Sequence, residues 1–240
     1  MSGTSLDGLD IAYCTFKKIN NQWKYSLIKA NTVRYNQAWT KNLANAHTLS
    51  GEALQQLHAD YGNLLGTTIK KFLQKNKLKA DFISAHGHTV FHQPAKGFTH
   101  QLGSGHALHA ASGLPVVYDF RSLDVAYGGQ GAPLVPIGDK LLFHEYEVCL
   151  NLGGIANLSF EAAGKRIAYD VCYANMGLNY LAAKAGKAYD SNGDMASAGN
   201  LHTPLYTKLH KQYYKWRVAR PSLGREGFEK YIKPLLDDDG

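Results

Sequence analysis

The chain has 240 residues, of which 45% are hydrophobic and 19% are charged. This is the composition of a globular protein, and the length suffices for one large domain or two smaller ones. The sequence has no apolar run long enough to cross a bilayer and no basic-then-apolar leader, so we predict no membrane segment. The three cysteines (Cys14, Cys149 and Cys172) are odd in number and far apart, which predicts reduced core thiols and a cytoplasmic protein.

The formal net charge of +7 raises the question of nucleic-acid binding. The lysines are spread along the chain, and the sequence shows no basic stripe interleaved with aromatic residues. A diffuse positive field also attracts small anions such as nucleotides or acidic sugars. We therefore expect small-molecule partners and no nucleic acid.

The first ten residues, MSGTSLDGLD, hold two glycines, three hydroxyl side chains and two carboxylates, and a strand-like apolar run follows them. Gly3 and Gly8 allow a tight turn whose main-chain N–H groups can approach a ligand. The hydroxyl groups can donate hydrogen bonds to phosphate oxygens, and Asp7 and Asp10 can hold a hydrated Mg²⁺. The window predicts a phosphate-binding hairpin, and an ordinary polar β-turn is the alternative.

Hydrophobic periodicity predicts alternating strands and helices in the first 120 residues. A long amphipathic helix begins after Ser50, whose side chain suits an N-cap. The predicted strands cover residues 9–16, 23–35, 81–85 and 114–120, and the predicted helices cover residues 50 to about 75 and 103–113. This alternation is typical of α/β architecture, in which loops at strand ends carry the chemistry.

Three histidines, His86, His88 and His92, follow the strand at residues 81–85, and His-x-His at a strand end can bind Zn²⁺. In the sequence, no nearby cysteine or third well-placed acid completes such a site. We therefore predict that these histidines do not bind a metal.

Residues 124–136 read DVAYGGQGAPLVP, with glycines at 128, 129 and 131. A backbone of this kind can lie against a ligand or against another segment of the protein. A flexible crossover between two domains fits the same glycines, and this stretch alone leaves both interpretations open.

The pattern of the first hairpin returns at Val148. A strand at residues 148–154 ends in the double glycine Gly153-Gly154, strands follow at 155–160 and 166–170, and a helix is predicted at 174–185. Further helices are predicted at 201–214 and from 228 to Pro234, and residues 237–239 are interpreted as a solvated acidic end. The shared order of elements indicates an internal repeat, which would place two glycine hairpins across a cleft with nucleotide phosphates between them.

Five motifs in order resemble the anhydro-N-acetylmuramic acid kinases of the acetate/sugar kinase, heat-shock ATPase and actin superfamily. They are MSGTSLDGLD, AHGHTVFHQP, DFRSLDVAYGGQGAPLVP, NLGGIANLS and YDVCYAN. The resemblance extends from Met1 to at least residues 224–226. It implies an α/β, actin-like (ribonuclease H-like) ATPase fold, with two duplicated βββα-type domains (residues 1–146 and 147–240) around a central cleft.

The resemblance also implies a reaction and its residues. With ATP, Mg²⁺ and water, such an enzyme opens the 1,6-anhydro bridge of anhydro-N-acetylmuramic acid and phosphorylates O6, in the cytoplasmic recycling of peptidoglycan. Asp170 is similar in position to the catalytic base, and Thr89, Arg121 and Asn175 resemble the sugar contacts. The implied phosphate contacts are Gly3, Thr4, Ser5, Leu6, Asp7, Gly8, Asp10, Gly153 and Gly154, with Asp7 also the candidate Mg²⁺ ligand. The oligomeric state stays open, with a homodimer as the candidate.

Ordinary structural roles also fit two of these residues. Asp170 could cap the helix predicted at 174–185, and Arg121 could form a surface salt bridge. The chain also departs from the family pattern, because Cys172 and Tyr173 alter an expected Asp-Thr-Gly-Pro-Gly-Asn segment and His88 replaces a usual Gln.

We further expect that the chain is a fragment, since it lacks the family's strand before MSGTS and a later adenosine-binding segment. Two alternative functions stand beside the kinase, the first suggested by the missing segments and the altered Asp170 loop and the second only by the net charge. One is a non-catalytic relative that binds sugar or nucleotide, and the other is a basic nucleic-acid-binding module.

Overall fold

The computed structural model describes residues 2, 6, 8–221, 223–224 and 227–238. Four of the N-terminal candidates, Gly3, Thr4, Ser5 and Asp7, lie outside the described residues. The chain divides into two compact units, residues 1–134 and 135–240, and both contain helices and small sheets. The expected α/β class is therefore confirmed at this coarse level, whereas the domain boundary after residue 146 stays a prediction.

Strands and helices are mixed along unit 1. Its strands are β1 (Gly8–Ile19), β2 (Gln22–Arg34), β3 (Ile83–Ala85), β4 (His88–Gln93), β5 (Phe98–Leu102) and β6 (Val116–Tyr118). Its helices are α1 (Gln37–Ala44), α2 (Gly51–Lys75), α3 (Gly105–Ser112) and α4 (Ser122–Ala126). β1 pairs with β2 and β4 with β5 in antiparallel fashion, and β3 pairs with β6 in parallel fashion.

The β1–β2 hairpin turns at Asn20 and Asn21, as the sequence predicts. Their φ angles are 49° and 65°, which is the left-handed backbone of the two-residue turns that match the twist of a hairpin. Asparagine tolerates this conformation better than most residues. The β4–β5 hairpin, by contrast, was not assigned from the sequence, because its strands are short and polar.

Helix α2 is the longest element of unit 1 and begins where it was predicted. The hydroxyl of Ser50 accepts a first-turn N–H at 3.3 Å, as an N-cap does. Gly62 and Gly66 allow α3 to pack closely against α2. A Cβ at Gly62 would lie 2.5 Å from the Ser104 carbonyl oxygen, and one at Gly66 would lie 2.6 Å from the Cβ of Ala111. The core of unit 1 therefore depends on a close helix pair.

Two histidines connect α2 to β5 and to the residues that precede α3. The Nδ1 atom of His58 accepts the Gly103 N–H at 3.2 Å, and the His58 and His100 ring centroids lie 5.4 Å apart. Burial lowers the pKa of His58, and the neighbouring His100 and His106 lower it further. Burial also lowers the pKa of His100, although Asp119 acts in the opposite direction. Only the neutral form of His58 can accept the Gly103 N–H.

We expect the free energy of unfolding to fall as the pH falls through the range below 6.5. The folded pKa of His58 lies below its ordinary value of 6.5, so the unfolded chain binds this proton first. The stabilisation is therefore complete above that value and is lost as the pH falls through the folded pKa. His58→Asn, which keeps an acceptor but does not titrate, should show a shallower pH dependence in urea unfolding between about pH 7.5 and about pH 5.5. His47→Asn, at an exposed position, is the control and should keep the pH dependence of the parent protein. If the free energy of unfolding of His58→Asn changes with pH as steeply as that of the parent, this role of His58 is contradicted.

Unit 2 is organised around one antiparallel sheet in the order β7-β8-β9. Its strands are β7 (Val148–Leu152), β8 (Ile155–Ala162) and β9 (Lys165–Tyr173). Its helices are α5 (Val135–Leu142), α6 (Asn175–Lys184), α7 (Asp194–Ala198), α8 (Thr203–Ala219), a π-helical turn (Phe228–Ile232) and α9 (Lys233–Asp238). Within the described part of both units, no helix has the length and apolar composition that a membrane span requires.

Three details of the sequence interpretation are corrected by the structure. The last helix does not end at Pro234, because Pro234 is the second residue of α9, where a missing N–H is tolerated. Asp237 is not merely solvated, since it accepts hydrogen bonds from Lys233 (2.8 Å) and Tyr180 that lower its pKa to about 2. The cysteines are free, but all three are partly exposed and none is a core thiol.

Candidate active site

The described part of the N-terminal window is tied to β2. Leu6 has a φ of 57° and packs against the core of unit 1, and Gly8 begins β1. A Cβ at Gly8 would lie only 2.7 Å from the carbonyl oxygen of Val33, so the strand pairing itself requires glycine there. The Oδ1 atom of Asp10 accepts the Thr32 hydroxyl at 2.6 Å. Gly8 and Asp10 therefore have structural roles, and a role in phosphate binding stays a prediction for them and for Leu6.

Arg121 lies at the start of α4, where its guanidinium is partly buried and held by two protein groups. Its Nε–H donates to Nε2 of His86 at 3.0 Å, and Nη1–H donates to the carbonyl oxygen of Gly131 at 2.6 Å. The described residues thus use two of its five N–H donors. The expected alternative of a surface salt bridge is wrong, because both partners within the described range are neutral acceptors.

The glycine-rich segment after α4 folds back onto this arginine. The Gly131 N–H donates to Oδ2 of Asp124 at 2.6 Å, and the Gly129 N–H donates to the Asp124 carbonyl oxygen at 2.8 Å. A Cβ at Gly129 would lie 2.2 Å from that carboxylate. The segment is therefore held in place by Asp124 and holds Arg121 in turn. The division between the two units, after residue 134, falls within the segment 124–136, as the crossover interpretation expects, and residues 129 and 131 are held by Asp124.

His86 has a defined tautomer because both ring nitrogens have partners. Nε2 accepts from Arg121, so the proton lies on Nδ1, which donates to the Gly87 carbonyl oxygen at 3.1 Å. Burial lowers the pKa of His86, and the positive charge of Arg121 also lowers it. The neutral imidazole is thus the form that supports Arg121.

The neighbouring histidines pack around the same strand. His88 on β4 is buried, and its Nδ1 lies 3.3 Å from the Ser2 hydroxyl. Nδ1 of His92 lies 3.2 Å from the Thr99 hydroxyl, and burial and Arg121 lower the pKa of His92. No group of three potential metal ligands occurs in the portion of the chain that the structure describes.

Thr89, the other predicted sugar contact of unit 1, lies on β4 opposite Gln101. It is partly exposed, and the strand register shifts between Thr89 and Phe91. A bulge of this kind redirects the side chains next to it. Thr89 is therefore accessible, and its contact with a sugar stays a prediction.

In unit 2, the second glycine turn lies against the start of α6. The carbonyl oxygen of Gly153 accepts the Asn175 N–H at 3.1 Å, and that of Gly154 accepts the Ala174 N–H at 2.9 Å and the Met176 N–H at 3.1 Å. The structure brings Gly153, Gly154 and Asn175 together, and their roles in phosphate and sugar binding stay predictions. Among the residues that the structure describes, the nearest atoms to a Cβ added at Gly153 and at Gly154 lie 3.7 Å and 3.9 Å away, so no described contact explains glycine at these positions.

Asp170 lies on β9 and is paired with Asn157 of β8. Its Oδ2 accepts the Leu223 N–H at 2.8 Å. It does not cap α6, whose N-cap position is Ala174 without a side-chain hydrogen bond, so that alternative is wrong. Burial raises the pKa of Asp170, and the Leu223 N–H partly opposes the rise. A carboxylate with a raised pKa is a stronger base than an ordinary surface aspartate.

Tyr173, one of the residues that depart from the family motif, holds the loop that hydrogen-bonds Asp170. It is buried between Trp216 and Phe228, and its hydroxyl donates to the Gly224 carbonyl oxygen at 2.8 Å. Gly224 follows Leu223, whose N–H binds Asp170. The departure from the family motif therefore anchors the segment that hydrogen-bonds the candidate base. Burial also raises the pKa of Cys172, which keeps this neighbouring thiol protonated.

Comparison with known proteins identifies the family. The family model for anhydro-N-acetylmuramic acid kinase matches residues 1–238. The chain belongs to the anhydro-N-acetylmuramic acid kinase family. A curated relative, the anhydro-N-acetylmuramic acid kinase of Pasteurella multocida (strain Pm70), is 38% identical over 241 residues, which cover 95% of this chain and 63% of the relative. The chain thus spans less than two thirds of the length of this relative.

Sequence reasoning proposed Asp170 and Arg121 as site residues, which stay predictions, and it did not find the groups that hydrogen-bond them. His86 was considered only as a metal ligand, whereas it orients Arg121. Asp124 was interpreted only as part of the glycine-rich segment, whereas it accepts the hydrogen bonds that hold Gly129 and Gly131 in place. Leu223, whose N–H binds Asp170, lies 53 positions further along the chain, and no local sequence pattern links the two residues.

Proposed function

We propose that this chain is the ATP-dependent kinase that its family name describes, acting on 1,6-anhydro-N-acetylmuramic acid. The observation that carries the proposal is Asp170, a half-buried carboxylate with a raised pKa at the position of the family's base. The products are N-acetylmuramic acid 6-phosphate and ADP. A cytoplasmic location and a role in peptidoglycan recycling belong to the same proposal, and so does a homodimer.

Asp170 removes a proton from the water that attacks C1 of the bridged sugar. As the water oxygen bonds to C1, the bond between C1 and O6 breaks, and O6 takes the γ-phosphoryl group of ATP while ADP leaves. The Leu223 N–H fixes one oxygen of Asp170, so the other oxygen is the one that accepts the proton. A base held in this way contributes about 10²- to 10⁴-fold to such a step.

Arg121 binds the lactyl carboxylate of the sugar through the N–H groups that His86 and Gly131 do not use. A guanidinium suits this task, because its planar fork matches a carboxylate. Thr89 and Asn175 contribute further hydrogen bonds to the sugar. The negative charge of a muramic sugar is thus met by a positive group that the protein has already oriented.

The groups that would contact the phosphates of ATP are those of the N-terminal window and, in unit 2, the Gly153-Gly154 turn. The space beside Gly153 and Gly154 allows a close approach to the backbone. Asp7 would hold a Mg²⁺ ion, which would supply neutralisation of the phosphate charge. This arrangement needs the actin-like fold that the resemblance implies, with two domains around a cleft, and that fold is part of the proposal.

The test is a coupled assay of ADP release with Mg²⁺-ATP and anhydro-N-acetylmuramic acid. We expect ADP release that depends on this sugar and is absent with N-acetylmuramic acid, which lacks the anhydro bridge. The alternative is a binding protein without catalysis. Stabilisation by the sugar or by ATP in thermal unfolding, without turnover, would establish that alternative.

A further inference from the structure

A bulge in β9 brings Asp170 and Tyr173 to the same face of the sheet. On a regular strand, residues three positions apart point to opposite faces. Asp170 is paired with Asn157 of β8. The partner of Tyr173 is Ile155, two positions from Asn157 and therefore on the same face. Val171 is the extra residue of the bulge, which lets both side chains reach one loop.

The Tyr173 hydroxyl is fitted into that loop. It donates to the Gly224 carbonyl oxygen at 2.8 Å, and the Phe228 N–H donates to the same oxygen at 3.2 Å. A Cβ at Gly227 would lie 2.5 Å from the hydroxyl oxygen. The hydroxyl therefore occupies the space that a side chain at position 227 would fill, and it is one of two described donors that fix the Gly224 carbonyl.

Helix α8 holds both the backbone and the ring of Tyr173. The Tyr213 hydroxyl accepts the Tyr173 N–H at 3.3 Å. The Trp216 ring contacts the rings of Tyr213 and Tyr173, with centroids 5.5 Å and 5.9 Å apart. Burial raises the pKa of Tyr213 to about 12, so this hydroxyl keeps its proton at neutral pH. Tyr173 is thus a fixed point between α8 and the loop.

The hydrogen bond to Asp170 comes from the residue next to this anchor. Leu223 directly precedes Gly224, and its N–H donates to Oδ2 of Asp170 at 2.8 Å. Only the backbone of these two residues separates the Leu223 N–H from the Gly224 carbonyl oxygen. A carbonyl held by Tyr173 therefore restricts where the N–H can lie, as supporting hydrogen bonds do for functional groups.

We propose that Tyr173 is a positioning residue for Asp170. Its hydroxyl keeps the Leu223 N–H on one carboxylate oxygen and leaves the other oxygen to take the proton of the attacking water. The catalytic part of this inference rests on the proposed function. The positioning part concerns only the charge state of Asp170, because an N–H donor favours the ionised carboxylate and its loss raises the pKa.

The experiment follows the carboxyl-carbon NMR resonance of Asp170 against pH in the full chain, labelled with isotope-enriched aspartate. The resonance is assigned by its loss in Asp170→Asn. Tyr173→Phe removes the hydroxyl and keeps the ring. We expect the pKa of Asp170 to rise by about one pH unit in this variant. The acid limb of kcat for ADP release should move to higher pH with it, while KM for the sugar stays unchanged.

Tyr180→Phe is the matched control. Tyr180 is a tyrosine of α6 in the same unit, and its ring also contacts Phe228, with centroids 5.9 Å apart. Its hydroxyl donates to Asp237 and not to the loop at residues 223–224. This variant should leave the pKa of Asp170 and the acid limb of kcat where they are in the parent. Thermal unfolding of each variant checks that the fold is intact.

An unchanged pKa of Asp170 in Tyr173→Phe, or an equal rise in Tyr180→Phe, would overturn the proposal. If Tyr173→Phe does not fold, Tyr213→Phe decides by the same resonance. It removes the acceptor of the Tyr173 N–H, so a smaller rise supports the proposal and no rise overturns it. A parent chain that releases no ADP would refute the proposed function alone, since the resonance of Asp170 would still report on its positioning by Tyr173.

Discussion

Replacing Asp170 by Asn is expected to lower kcat for ADP release about 10²- to 10⁴-fold, the usual contribution of a general base. The substitution is nearly isosteric, and the amide oxygen can still accept the Leu223 N–H that binds Asp170 at 2.8 Å. The loop around Leu223 should therefore stay in place. Sugar binding, measured by calorimetry, should change much less than kcat because the lost group acts on the water and not on the sugar.

Asp190→Asn is the matched control for this variant. Asp190 lies in the same unit and also accepts backbone N–H groups, at 2.8 Å from Met195 and 3.0 Å from Ala196. Its replacement should leave kcat unchanged. Equal losses in the two variants would mean that the loss reflects folding, and an active Asp170→Asn enzyme would remove Asp170 from the mechanism.

The pH profile gives a second readout. Because burial raises the pKa of Asp170, the acid limb of kcat should lie above the range of an ordinary aspartate. Activity rises with pH through that limb as Asp170 loses its proton. A profile without an acid limb in this range would contradict the assignment.

Local sequence signals predicted the elements whose formation depends on neighbouring residues. Ser50 before an apolar period predicted α2, and Asn20-Asn21 predicted the first hairpin turn. The double glycine after β7 and a helix starting near residue 174 were also identified from local patterns, and α6 begins at Asn175. Short-range chemistry decides caps and tight turns, so a single chain is enough to find them.

The partners of the site residues depend on contacts that local patterns do not encode. His86 and Arg121 are 35 positions apart, and Asp170 and Leu223 are 53 positions apart. Tyr173 read as a departure from a motif, whereas its packing against Trp216 and Phe228 anchors the loop next to Asp170. The family resemblance supplied the chemistry of Asp170 and Arg121, and only the structure shows what holds them.

If Arg121 binds the sugar carboxylate as we propose, its hydrogen bond to His86 makes sugar binding depend on the charge of His86. Protonation of His86 would remove the acceptor for the Arg121 Nε–H and place two positive groups side by side. The pKa of His86 lies below its ordinary value of 6.5, so the neutral form is complete above that value. As the pH falls through the lowered pKa of His86, KM for the sugar should rise. The pH dependence of kcat should instead follow the pKa of Asp170.

Arg121→Lys is expected to raise KM for anhydro-N-acetylmuramic acid about 10- to 100-fold with little change in kcat, since a charge-assisted pair is worth about 1.5–3 kcal/mol. Lysine keeps the charge but loses the planar fork and the Nε donor to His86. Arg217→Lys, at an exposed arginine of α8, is the control and should behave like the parent.

His86→Gln, which keeps an acceptor without titrating, should retain Arg121 in place and abolish the rise of KM at acid pH. If KM of His86→Gln still rises as the pH falls, or if Arg121→Lys leaves KM unchanged, Arg121 does not bind the carboxylate in the orientation that His86 gives it.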